Sequence, residues 1–333
     1  MLGASPGLGI DLGTCTLVVA RPGEGVVLRE PSLGALDRHS GRLLAVGQTA
    51  LALAQTDPAR VRLAHPLQNG VLAEYTLTSS ILRWLFEQTW PQRRMLKPRV
   101  ALSVSPGAGD VERRALLEAA SSAGARQCWL VPSPVAVALG AGLPALAPQG
   151  NLVLDFGGGV TNLAIVACGG MVVGDSLRGG GAAMDEALMR HFKRRHSMLI
   201  SCEAAEEIKI TIGSAYPLDP ELTMWVNGTD LSREHTRKVE VTSVEIREVI
   251  AEQLRDLLHS LRKLLERTPP DPAGDILEQG AVLTGGGANL RGLDKLVSQV
   301  LQLTTRVAPD PSGCAAAGAA KYLDRVASLT QAA

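Results

Sequence analysis

One hairpin pattern occurs twice in this chain, at Gly9-Ile10-Asp11-Leu12-Gly13-Thr14 and at Leu154-Asp155-Phe156-Gly157-Gly158-Gly159-Val160-Thr161. In each copy an apolar run ends on an Asp, a glycine turn with a Thr follows, and a second apolar run returns. Strand, tight turn and strand predict a β-hairpin. Glycine in the turn lets backbone N–H groups approach an anion, because no Cβ stands in the way. The Asp at the strand end cannot hold a phosphate, since like charges repel. It can hold hydrated Mg²⁺, which prefers oxygen ligands and keeps several waters. The repeat therefore predicts a duplicated domain that clamps one Mg-nucleotide, with Asp11 and Asp155 facing the metal through water.

A single Asp-x-Gly-Thr is compatible with an ordinary turn, because Asp and Gly are common turn residues. A third element narrows the reading. Ala281-Val282-Leu283-Thr284-Gly285-Gly286-Gly287-Ala288-Asn289-Leu290 reads as a buried strand, a glycine turn and a helix start. Glycines there allow a flat purine or ribose to lie against the backbone. Other nucleotide signatures are missing: no G-x-x-x-x-G-K-[ST] occurs, and no G-x-G-x-x-G opens a helix after a strand.

A length of 333 residues supports about two domains. The Pro- and Gly-rich stretch 143–150 is the best linker, giving halves at 1–145 and 146–333. With 33 basic and 33 acidic residues and 3% aromatics, the chain offers neither the field nor the stacking platforms for nucleic acid. Five cysteines, odd in number and without C-x-x-C, argue against disulfides and fit a reducing cytoplasm. Six scattered histidines without H-E-x-x-H predict no zinc site. No stretch reads as a signal peptide or membrane span.

In the first half, hairpin strands over 8–20 and 25–28 precede an irregular insert at about 33–69. A helix over 76–90, a strand over 100–104 and a helix over 110–123 with Gly124 as C-cap follow. A strand over 128–131 and a small-residue helix over 135–142 complete that half. The second half repeats the hairpin over 151–167, adds a strand over 171–175, and carries a second insert at about 182–246. Helical segments occupy 184–212, weaker strands 224–226 and 239–241, and an amphipathic helix 243–265.

Several stretches carry a specific resemblance: Glu30-Pro31-Ser32, Lys97-Pro98-Arg99-Val100, Val111-Glu112-Arg113-Arg114-Ala115, Met184-Asp185-Glu186-Ala187, Ala205-Glu206-Glu207-Ile208-Lys209-Ile210, Thr268-Pro269-Pro270 and the 283–293 segment. Over nearly its whole length the chain resembles the actin-like ATPase superfamily, and within it the bacterial actins of the MreB type. The resemblance implies an α/β actin-like fold, two ribonuclease-H-like domains around a nucleotide cleft, each with a small inserted subdomain. It implies ATP and Mg²⁺ as ligands and self-assembly into filaments on the inner face of the cytoplasmic membrane, alongside cell-shape membrane proteins. Gly13, Thr14, Cys15, Thr16, Gly157, Gly158, Gly159 and Val160 would surround the phosphates. Glu206 and Lys209 would reach the adenosine, and Gly285, Gly286, Gly287, Ala288 and Asn289 would line the purine slot. In the basic run Gln92-Arg93-Arg94-Met95-Leu96-Lys97, Met95 and Leu96 would insert into an anionic membrane.

The departures concern chemistry. Relatives carry two glutamates in the strand-to-helix turn at 132–134, and the second orients the attacking water; here the stretch is Pro132-Ser133-Pro134. A Ser can bond a water but cannot take its proton at neutral pH. The usual Thr after the second glycine triplet is Val160, and the usual acid after Thr161 is Asn162. Ser133 and Thr161 are thus degenerate water-handling positions, so binding is expected and fast hydrolysis is not. Two alternatives share the fold: a nucleotide-locked scaffold without turnover, and a small-molecule kinase.

Overall fold

The computed structural model describes residues 7–90, 97–232 and 235–331, with side chains as far as Arg325. The chain opens with β1 (Gly7–Leu12), β2 (Thr16–Arg21) and β3 (Gly25–Pro31), followed by β4 (Gly34–Asp37), β5 (Leu43–Val46), α1 (Gln48–Thr56), β6 (Val61–Ala64), β7 (Leu67–Gln68) and β8 (Val71–Leu72). Next come α2 (Tyr75–Thr89), β9 (Arg99–Val104), α3 (Asp110–Ala123), β10 (Gln127–Pro132) and α4 (Ser133–Gly140). The pattern restarts with β11 (Asn151–Phe156), β12 (Val160–Ala167), β13 (Gly170–Arg178), α5 (Gly181–Arg195), β14 (Met198–Leu199) and α6 (Cys202–Ile212). Then come β15 (Thr223–Asp230), β16 (Thr236–Thr242), α7 (Ser243–Glu266), α8 (Pro270–Gln279), β17 (Ala281–Thr284), α9 (Leu293–Leu301), β18 (Thr305–Val307) and α10 (Cys314–Gln331).

Two five-stranded sheets result, ordered β3-β2-β1-β9-β10 and β13-β12-β11-β17-β18. Each is an antiparallel meander of three strands extended by two parallel ones. The duplication read from the two hairpins is therefore a duplication of topology. Asp11 pairs in register with Ser103 of β9, and Asp155 pairs with Thr284 of β17. Both aspartates thus sit near the carboxyl end of the central strand, the edge at which α/β sheets bind ligands.

The insert expected to be irregular is ordered. Strands β5-β4-β6 form a small sheet packed on α1. Its strands are four residues each, too short for a period-2 signal to separate from loop. In the second insert a sheet β14-β15-β16 lies with α5, α6 and α7. Helix α7 follows the amphipathic reading: Ile246, Ile250, Leu254, Leu257, Leu261 and Leu264 form its buried stripe, and Thr242 caps its start through Glu245 N.

Helix α10 gave no periodic signal. Its first half, Cys314-Ala315-Ala316-Ala317-Gly318-Ala319-Ala320, is small on every side. It lies against both β1 and α4, so closely that a Cβ at Gly318 would collide with the Ala136 carbonyl, and one at Gly9 with the Ala316 carbonyl. The same seam holds Ala101 and Val131 of the first sheet and Val153, Ala164 and Val282 of the second. A core poor in aromatics is here close-packed by small residues, and it joins the two sheets behind the cleft.

Candidate functional site

A cavity of about 290 Å³ opens between the carboxyl edges of the two sheets. Every residue named above for the nucleotide lines it except Ala288, which is buried outside the lining. Ser133 also lines it. Thr161 does not: alternation along β12 places Val160 and Asn162 in the lining and Thr161 outside it, with its hydroxyl on Gly179 O at 3.3 Å. Met95 and Leu96 lie outside the described residues.

The two hairpin turns meet across the cleft. A Cβ at Gly158 would collide with Cys15 Sγ, and one at Gly159 with Thr14. Gly70, at a positive φ of 76° in the β7–β8 turn, approaches Val160 in the same way, and its N–H donates to Thr14 Oγ1 at 3.3 Å. These contacts explain why the turns are glycine on one side of each touching pair. On the far wall, a Cβ at Gly287 would strike the Phe156 ring at 2.8 Å, whereas one at Gly286 would meet nothing within 4 Å. Gly286 therefore presents bare backbone to open space.

Asp11 and Asp155 are both half-buried and line this space. Burial pushes the Asp11 carboxyl up to about 7, and the neighbouring charge of Asp155 adds to the rise. Burial likewise raises Asp155, against two donors that favour its charged form. Those donors are Ser133 Oγ, at 2.5 Å from Asp155 Oδ2, and Asn162 Nδ2, at 3.2 Å from the same oxygen. Asn162 accepts in turn from Ser105 Oγ at 2.9 Å and Ser176 Oγ at 2.8 Å. Ser105 follows β9 in the first sheet, so this chain of neutral groups spans the cleft. Two half-buried carboxylates lining one cavity fit a divalent cation, which would relieve both their desolvation and their mutual repulsion.

Lys209 and Glu206, expected to act together, are held differently. Lys209 Nζ donates to Asp185 Oδ2 at 2.7 Å and to Gly181 O at 3.0 Å, while Glu206 is exposed. Burial raises the Asp185 carboxyl, and the Lys209 ammonium opposes that rise. Sequence reasoning missed Ser103, Ser105, Asp185, Arg291 and the Pro311–Ser312 turn as parts of the wall or its support. Single Ser and Arg residues at strand ends carry no local pattern. Register with Asp11 would have found Ser103, but only once the β1–β9 pairing was known.

A family model described as MreB/Mbl protein matches residues 5–331. The cell shape-determining protein MreB of Escherichia coli (strain K12) is 39% identical over 324 residues, spanning 96% of this chain and 93% of that protein. The cell shape-determining protein Mbl of Bacillus subtilis (strain 168) is 34% identical over 322 residues, 97% of each. Among solved structures, MreB5 of Spiroplasma citri bound to ADP superposes with a TM-score of 0.92 at 31% identity, covering 98% of this chain and 99% of that one. The fold is therefore actin-like, as the resemblance implied.

Proposed function

Since the chain belongs to the MreB/Mbl family, we propose that it is a cytoskeletal protein that takes Mg-ATP into this cleft and polymerises into filaments serving cell shape or internal organisation. The observation that carries the nucleotide reading is the Asp11–Asp155 pair, half-buried at the rim of two glycine turns that touch. Bound there, Mg²⁺ would neutralise carboxylate and phosphate charge together. The chain's own groups do the rest: turn N–H groups cradle phosphate, Gly286 leaves room for a flat ring, and Lys209 supports the α5 end of the wall through Gly181 O. The similar MreB5 of Spiroplasma citri binds ADP, which supports the same use of this cavity.

Association with the membrane is part of this reading. Arg93, Arg94 and Lys97 flank Met95 and Leu96, and each cation near anionic lipid contributes about 1 kcal/mol. Among the described residues no helix is long and apolar enough to cross a membrane.

One observation favours the nucleotide-locked scaffold as a second reading. The Ser133 hydroxyl is committed to Asp155 at 2.5 Å, and neither it nor Asn162 can take a proton from water at neutral pH.

The test combines sedimentation and electron microscopy with binding. Filaments should form with Mg-ATP or a non-hydrolysable analogue. Asp11→Ala or Asp155→Ala should weaken Mg-ATP binding far more than nucleotide binding in EDTA. Monomers under all salt and nucleotide conditions would sink the cytoskeletal reading, and equal losses with and without metal would sink the metal role.

A further inference from the structure

Away from the cleft, the fold gathers three side chains that the sequence leaves scattered. His191, in the last turns of α5, and His196, the residue that ends it, both turn Nε2 toward Glu245 in the first turn of α7. Both nitrogens approach the same oxygen, Oε1, at 2.6 and 2.7 Å. On a continuous helix, positions five apart point about 140° away from each other. His196 closes the helix with its N–H still bonded to Phe192 O, and the two rings converge because both side chains reach toward the start of α7. The expectation of no zinc site rested on motif spacing, and spacing cannot register a ligand supplied by a helix 49 residues further on.

We propose that His191, His196 and Glu245 form a binding site for a divalent transition-metal ion of the zinc class, with water completing the coordination. The three ligand atoms lie within 4.8 Å of one another. Tetrahedral zinc with bonds of about 2.0–2.1 Å sets its ligands about 3.3 Å apart. Each N···O separation therefore has to open by about 0.6–0.7 Å, within reach of small side-chain rotations. Two imidazoles and one carboxylate are a zinc ligand set and a poor one for Mg²⁺ or Ca²⁺, which prefer all-oxygen shells.

The ligands stand on fixed elements. Glu245 N is held by the Thr242 hydroxyl at 3.2 Å, and Arg237 Nη1 donates to His196 O at 3.2 Å. Buried Phe192 packs beside both rings, with centroids 6.2 Å from His191 and 5.2 Å from His196. Side-chain exposures of 21%, 16% and 26% leave one side of the cluster open to solvent, where a water ligand would sit. Burial alone would raise the Glu245 carboxyl, but the two imidazoles outweigh it and hold it below the usual range. The neighbouring cations Arg190, Lys193, Arg194 and Arg195 are exposed and screened by water. Metal binding here displaces protons from the two Nε2 atoms and ties the end of α5 to the start of α7, within the second insert.

The experiment uses the full chain stripped with chelator, then titrated with Zn²⁺ against a competing chromophoric chelator. One Zn²⁺ per chain is expected, with zinc-edge X-ray absorption showing nitrogen and oxygen neighbours at about 2.0–2.2 Å. His191→Asn, His196→Asn and Glu245→Gln should each weaken binding at least tenfold. Glu245→Gln keeps the size of the side chain, so circular dichroism can verify that the fold persists. The double variant Cys168→Ser with Cys202→Ser, which removes two exposed thiols, should leave binding unchanged. Failure to take up zinc, equal uptake by wild type and the three variants, or sulfur neighbours at about 2.3 Å would each overturn the proposal and leave a hydrogen-bonded His–Glu cluster.

Discussion

Replacing Asn162 with Asp changes one donor into a charge beside Asp155 and alters almost no volume. Asn162 Nδ2 lies 3.2 Å from Asp155 Oδ2, with Asn162 buried and Asp155 half-buried at the cavity wall. Two like charges at that separation repel by about 5 kcal/mol at an effective dielectric of about 20. The alternative is protonation, and a carboxyl of ordinary pKa costs about 5 kcal/mol to protonate at pH 7.5. Both routes give the same ceiling. Burial already raises Asp155, so protonation costs less than that ceiling, while losing a hydrogen bond to a charged group adds about 1.5–3 kcal/mol. The expected loss without metal is therefore about 3–5 kcal/mol. Unfolding entropy of about 2.1 cal/mol/K per residue, taken over 333 residues, converts this to a Tm lower by about 4–7 °C. A divalent cation between the cleft carboxylates should cancel most of the penalty. Thermal unfolding of wild type and Asn162→Asp, in EDTA and with Mg-ATP, measures both numbers. The gap should shrink to about 2 °C or less with Mg-ATP, by the same conversion. A gap that is the same in both conditions would refute the placement of metal beside Asp155. No gap in EDTA would refute the electrostatic account of the network.

In EDTA without nucleotide, wild-type stability should rise as pH falls from about 8 to 5. Asp11 has a folded pKa of about 7 against an ordinary 3.8, so the folded state binds the proton more tightly; Asp11→Asn should flatten that part of the profile in a Tm–pH series. Gly318→Ala drives a Cβ into the Ala136 carbonyl and should lower the urea midpoint by the equivalent of about 1–3 kcal/mol, whereas Gly274→Ala, which meets nothing within 4 Å, should be neutral or slightly stabilising. Phosphate release should be slow, because general-base help worth about 10²- to 10⁴-fold is missing. Ser133→Glu should raise it only with Mg²⁺ bound and at a cost in metal-free stability, and rapid wild-type hydrolysis undiminished by Ser133→Ala would put the base elsewhere. Met95→Ser with Leu96→Ser should reduce pelleting with anionic liposomes while leaving polymerisation intact, and a wild type that ignores such vesicles removes the membrane role.

The parts of the fold legible in the sequence were those where one residue's chemistry constrains the backbone. Asp and Gly at the two hairpins gave the duplication, and the stripe on α7 gave its buried face. Gly124 gave the end of α3, where it adopts the left-handed conformation at φ 108°. Helix α10 was illegible because alanine and glycine on all sides carry no periodicity. Its reason for being small, contact with α4 and β1 at backbone distance, exists only in three dimensions. The cleft divides in the same way. Residues on the glycine turns announced themselves, whereas Asp185 and Ser105 matter through partners 24 and 57 residues away. Glu206 and Lys209, three apart on one helical face, both line the cavity as their expected reach to the adenosine requires, and Asp185 in addition holds the Lys209 ammonium.

The neutral network at Asp155 also bears on how binding and turnover would separate in the proposed function. Metal binding needs an ionised, positioned carboxylate, and Ser133 and Asn162 supply that by donating two hydrogen bonds to one oxygen. Hydrolysis needs a group that holds a water and accepts its proton, and a hydroxyl or amide can hold the water but cannot accept its proton at neutral pH. An acid at either position would serve the water but would repel Asp155 whenever the metal leaves. The substitutions at 133 and 162 therefore act in one direction. They should make the metal-free cleft cheaper to fold and a nucleotide-bound cleft slower to react. Ser105, bonded to both Asn162 and Ser176, links the two sheets, so the groups that hold Asp155 also connect the two walls of the cleft. If such subunits polymerise as proposed, their filaments should retain ATP for as long as that network stays intact, and the nucleotide content of pelleted polymer measures it.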